Sequence, residues 1–257
     1  MTDTSSSNSE SRIPVARRTV LVAGGATAAA LAVGGAASAG ALNGTRQDTA
    51  AAAVCTLTRE MTEGPYYLDG QYVRSDISEG KPGVPLKLTL TVVDDDTCAP
   101  LRGALVELWH ADALGEYSGF VGKNGHSEPD NGTFLRGGVL TNSAGVAVIT
   151  SVYPGWYVGR CIHIHVKVHT GVTLTSDGHF TGGREIHTGQ LFFSETVTTR
   201  VAAISPYSTN RVTRTTLARD SIYDGGGAAS GLLTLSALGS SPSAGYAGAL
   251  TLGVETS

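Results

Sequence analysis

Residues 156–168, WYVGRCIHIHVKV, place His163 and His165 two positions apart in a run whose β-branched residues alternate as a strand's would. On a strand that spacing puts both imidazoles on one face. Tyr157 and Arg160 lie just upstream, and Tyr117 sits in WHADALGEYSG at 109–119. Nitrogen ligands, hard phenolate oxygens and one fixed positive charge could therefore converge, which is the donor chemistry of a ferric site. Phenolates stabilise Fe(III) over softer ions, and the metal in turn lowers the phenol pKa from about 10, so that both are anionic at neutral pH. Two imidazoles complete a site with an exchangeable position, which separates a catalytic metal from a structural one.

Each residue also has an ordinary role open to it. A His-x-His pair can be two satisfied polar residues on a half-exposed strand, most tyrosines pack a ring and hydrogen-bond the hydroxyl, and a lone arginine is commonly ion-paired. The same histidines could instead bind zinc or copper in a hydrolase or oxidase. Three cysteines do not fit a closed zinc site, and neither HExxH nor CxxC occurs.

The elements that must hold these residues read as short strands. Alternation rich in β-branched residues recurs at 84–93, 104–109, 146–152, 162–168, 190–193, 232–238 and 249–254, each bounded by Gly, Pro, Asn, Asp or Ser. This predicts an all-β fold, an antiparallel β-sandwich with long active-site loops and little helix. One short helix is expected at 195–204, opened by Ser194 as N-cap and closed by Ser205-Pro206. The stretches 118–135 and 170–188, rich in Gly, Asp, Asn and His, resist assignment and read as loops of functional length.

The chain has 257 residues, 41% hydrophobic and 16% charged, which suits one globular domain with tails. Net charge is −4, with no Lys/Arg cluster outside the extreme N-terminus, so nucleic acid is excluded as a partner. That N-terminus has Arg17-Arg18 before an Ala/Gly-rich apolar run ending at Ala37-Ser38-Ala39. It reads as a twin-arginine-type signal peptide over 1–39, cleaved after Ala39, followed by a linker at 40–53 and the folded domain at 54–257. A retained membrane anchor is the alternative reading, disfavoured because the run is rich in Ala and Gly rather than Leu. The expected location is secreted, with no stable membrane association after cleavage. In an oxidising compartment Cys55 and Cys98 are expected to form a disulfide, leaving Cys161 free beside the candidate site.

Taken together, EGPYY at 63–67, LRGALVELWHADALGEYS at 101–118, LRGGVLTNSAGVAVITSVYPGWYVGR at 135–160, HIHVKV at 163–168 and TGQLFF at 188–193 resemble an intradiol ring-cleavage dioxygenase. The likeness is to catechol and protocatechuate 3,4-dioxygenases, above all to secreted actinobacterial-type members, and covers most of residues 55–254. It implies a β-sandwich holding non-haem Fe(III) through Tyr117, Tyr157, His163 and His165. It implies Arg160 and Gln190 beside a bound catechol; Glu63, Pro65, Tyr66 and residues 118–135 are the further candidates for shaping the pocket. The implied reaction uses O2 to cleave the catechol between its hydroxylated carbons, giving a cis,cis-muconate-type diacid. His110, His126, His169, His179 and His187 have no place in that ligand set.

The chain departs from intracellular relatives in three respects. It lacks the helical extension that dimerises catechol 1,2-dioxygenases, so no oligomeric state carries over. The stretch from Tyr157 to Arg160 is short, and Cys161 stands where a Thr is expected. The rival from another class is a non-catalytic, secreted prealbumin-like module, in which Arg102–Leu108 would be scaffold. That reading leaves Tyr157, Arg160, His163 and His165 unexplained.

Overall fold

Leu86, Leu88, Leu90 and Val92 are buried and alternate with Lys87, Thr89 and Thr91 along Pro85–Asp94; this period of two makes the stretch a strand, β1, with one apolar face. The computed structural model describes residues 55–226 and 228–256. The expected signal peptide at 1–39 and linker at 40–53 lie outside the described residues. Further strands are β2 (Leu105–Trp109), β3 (Tyr117–Val121), β4 (Gly125–His126), β5 (Arg136–Leu140), β6 (Val146–Val152) and β7 (His163–Thr170). They are followed by β8 (Thr173–Leu174), β9 (Phe180–Thr181), β10 (Arg184–Phe192), helix α1 (Glu195–Ala202), β11 (Thr234–Ala237) and β12 (Tyr246–Val254).

Two four-stranded sheets form, in the orders β11-β12-β1-β6 and β10-β7-β2-β5, with β3-β4 and β8-β9 as small ribbons. Between the sheets lie Leu86, Leu88, Leu90 and Val92 of β1, Ile149 of β6, Val106 and Leu108 of β2, and Ile164, Val166 and Val168 of β7. The fold is all-β, as the strand pattern predicts. The second sheet is antiparallel throughout. The first departs from that expectation: β12 runs parallel to β1, while β6 is antiparallel to it. Alternation specifies which face a residue takes and carries no information on strand direction.

The stretches expected as loops contain more structure than that. The β3-β4 ribbon occupies part of 118–135, and 170–188 holds β8, β9 and the first half of β10. A register irregularity between Glu185 and His187 breaks the alternation that would have revealed β10. The helix forms where expected, with Ser194 Oγ accepting from the Val197 N–H, and ends at Ala202. No helix among the described residues is long and apolar enough to cross a membrane. A disulfide joins Cys55 to Cys98, and Cys161 is a buried free thiol.

Candidate metal centre

Strand β7 is buried on both faces. Its even-numbered residues point into the sandwich, so His163, His165, Lys167 and His169 share the opposite face, which in most antiparallel sheets meets water. Here the segment after Cys55 covers it: the Met61 N–H donates to Thr188 O (2.8 Å), and Val73 bridges to Gly138. The register sets Gln190 of β10, His165 of β7, Trp109 of β2 and Arg136 of β5 in one row across the sheet.

His163 Nδ1 lies 2.7 Å from Cys161 O. A carbonyl only accepts, so Nδ1 carries the proton and Nε2 the lone pair. That Nε2 is 3.1 Å from His165 Nε2, and the Tyr157 hydroxyl lies 3.2 Å from it. The indole of Trp109 stacks on His165 with centroids 4.8 Å apart and planes at 7°, fixing the imidazole plane. The Tyr117 ring centroid is 5.8 Å from that of Tyr157 and 6.3 Å from that of His165, and its buried hydroxyl has no hydrogen-bond partner. Tyr117 is held through its neighbour: Arg136 donates to Ser118 Oγ (2.7 Å) and Ser118 O (2.9 Å).

The electrostatics match a cation pocket. Burial, reinforced in His165 by His163 and in both by Arg160, pushes the two imidazoles well below the usual histidine range, so their lone pairs are free at neutral pH. Burial also raises both phenols, in Tyr157 against the opposing pull of Arg160. A buried phenol without a hydrogen-bond partner is costly unless a cation sits beside it, and two neutral imidazoles next to it supply lone pairs that such an ion would take. A trivalent ion reverses the phenol shift by ionising both groups. The donor set therefore fits Fe(III).

Arg160 borders this centre. Its Nη1 lies 3.4 Å from His163 Nε2, its Nη2 donates to Gln190 Oε1, and its Nε donates to Asp220 Oδ2 at 2.9 Å. Gln190 Nε2 in turn donates to Thr62 O (3.0 Å). Asp220 has no counterpart among the residues singled out from sequence. It lies in a stretch without periodicity, and only the fold brings it to Arg160. Burial pushes its carboxyl up, but the Cys161 and Tyr223 N–H groups and the Arg160 guanidinium outweigh burial and hold it below the ordinary range.

The EGPYY segment closes over the centre. Glu63 pairs with Lys167, which also contacts Glu185 at 2.9 Å. Tyr66 stacks on Tyr117 (4.4 Å, 12°), meets Tyr157 edge-on and accepts from Asn124 Nδ2 at 2.9 Å. Pro65 is exposed. The remaining histidines stand apart. His110 bonds Ala111 O and Ser151 Oγ and is pushed by burial to about 4, His169 contacts Glu107, His187 contacts Glu60, and His179 contacts Asp177. His126 joins Asp112 and Glu116 in a group whose ligand atoms lie within 4.8 Å of one another. Lys81 Nζ already sits 2.8 Å from Asp112, so that group has its own cation.

Comparison with known proteins places these residues in context. A family model described as "Dioxygenase" matches residues 62–180, which include Tyr117, Tyr157, Arg160, His163 and His165. The solved intradiol ring-cleavage dioxygenase from Tetranychus urticae is 31% identical with a TM-score of 0.67, covering 78% of this chain and 95% of that one. Among curated proteins, catechol 1,2-dioxygenase of Acinetobacter baylyi is 31% identical over 151 residues, 51% of this chain and 46% of that protein. Chlorocatechol 1,2-dioxygenase of Pseudomonas sp. strain P51 is 27% identical over 149 residues, 49% of this chain and 57% of that protein. The chain thus spans about half the length of the curated relatives it matches.

Proposed function

We propose, because this chain belongs to the intradiol ring-cleavage dioxygenase family, that it opens a catechol between its two hydroxylated carbons with O2, at a non-haem Fe(III) held by Tyr117, Tyr157, His163 and His165. The observation that carries the reading is the convergence of two imidazole Nε2 atoms 3.1 Å apart with the Tyr157 hydroxyl and the partnerless hydroxyl of Tyr117. The ion, when bound, supplies Lewis acidity toward the catechol oxygens and an electronic route from the ring to dioxygen.

The chain's own residues do the rest. Tyr157 is the less buried residue of the two, and its phenolate is the one we assign to take a proton from the entering catechol. Arg160 offers Nη1 to negative charge developing on the substrate, and Gln190 holds the guanidinium in place. The EGPYY cover keeps water from the imidazoles. The product is a cis,cis-muconate-type diacid carrying both oxygen atoms. We assign the protein to the secreted, actinobacterial-type branch, exported by the twin-arginine route and acting on extracellular catechols such as those released from plant material.

Purified, iron-loaded protein should be burgundy from tyrosinate-to-Fe(III) charge transfer, should consume O2 with catechols and should release a muconate. Tyr157→Phe and His165→Ala should each lose colour and iron. Full retention of both in the two variants would overturn the ligand assignment, and a colourless protein would favour the zinc or scaffold readings.

A further inference from the structure

We infer that Asp220 is a positioning residue that holds Arg160 in the one orientation that serves the catechol site, an inference that rests on the functional reading above. Asp220 is buried, and four N–H groups donate to its carboxylate, with the Cys161 thiol beside it. Oδ2 accepts from Arg160 Nε (2.9 Å) and from the Cys161 N–H (2.6 Å), while Oδ1 accepts from the Ile222 (2.8 Å) and Tyr223 (2.9 Å) N–H groups. The carboxylate is thus pinned to its own turn by one oxygen and reaches across to the site with the other.

The consequence for Arg160 is geometric. A guanidinium is a planar fork on a flexible stem carrying about 2 kcal/mol of rotamer entropy. With Nε tied to Asp220 and Nη2 tied to Gln190, the plane has no remaining rotation, and Nη1 is left directed toward His163 Nε2. The Cys161 bond fixes the backbone one residue after Arg160 as well, so both ends of the side chain are set by a single carboxylate.

Charge and position make opposite predictions here. If Asp220 acted on the reaction through its charge, removing it would strengthen the positive field at Arg160 and favour an anionic transition state. A positioning role predicts slower turnover when the same charge is removed, because the guanidinium loses its orientation. Asp220→Asn should keep iron content and the visible band while lowering kcat about 10- to 100-fold. Arg160→Lys keeps the cation and leaves the turn at Asp220 intact but has no Nε to donate, and should lose a similar factor. Combining the two should add little to either loss alone.

A second readout does not depend on turnover. In protein labelled with 15N-arginine and loaded with diamagnetic Ga(III), the Arg160 Nε–H should give a resolved signal protected from solvent exchange. That signal should vanish in Asp220→Asn. Its persistence in the variant, wild-type kcat in Asp220→Asn or in Arg160→Lys, or losses that multiply in the double variant would each overturn the proposal. If wild-type protein consumes no O2 with any catechol, the functional reading fails, and the NMR signal still decides whether Asp220 holds Arg160.

Discussion

Gly64 has a φ of +76°, and a β-carbon built there would lie 3.1 Å from His165 Cε1. Left-handed backbone costs an L-residue about 1–2 kcal/mol, and the methyl would in addition press on the imidazole ring. Gly64→Ala should therefore fold with a modest loss of stability and release iron more readily, measured as iron remaining after dialysis against a chelator. Iron retention equal to wild type would show that the EGPYY segment gives way at this point without transmitting anything to His165. At this scale much of the candidate centre was legible. A period of two puts His163 and His165 on one face, as they stand in β7. Asp220 was not legible, because it reaches Arg160 from 60 positions away and nothing in its own surroundings repeats.

Strand β7 works as a partition, with apolar residues packed into the sandwich on one side and the histidines on the other. Its neighbour β2 is divided in the same way, Leu108 facing the core and Trp109 facing His165. Leu108→Ala should cost about 2–5 kcal/mol in urea denaturation. Iron bound per folded molecule and the visible spectrum should stay as in wild type, since the truncated side chain lies on the far side of the sheet. Loss of iron at unchanged stability would mean that the two faces are not independent. Strands β1, β2, β6 and β7, with clean alternation, were readable to within two residues. Strand β5 was not, because Gly137 and Gly138 erase its pattern, nor was the start of β10, where the irregularity at His187 interrupts it. In both places the partner strand supplies the order that the local residues do not encode.

The whole domain is tied at one point by a covalent link. The disulfide between Cys55 and Cys98 closes a loop with a sequence separation of 43 and fastens the segment that goes on to cover the candidate centre. Cys98→Ser should lower stability by about 2–4 kcal/mol. The denaturation midpoint of wild-type protein should fall by a matching amount under reductant, and a midpoint indifferent to reductant would show that the link contributes nothing. The position of β12 has a separate consequence. It lies inside its sheet, between β11 and β1, so that Leu86 waits for Tyr246 as its partner. A ribosome must release nearly all of the domain before this sheet can close, and contacts of such long range make for slow folders. Closure of this sheet therefore waits for residues 246–254, long after β2, β5, β7 and β10, the sheet that carries His163 and His165, have left the ribosome.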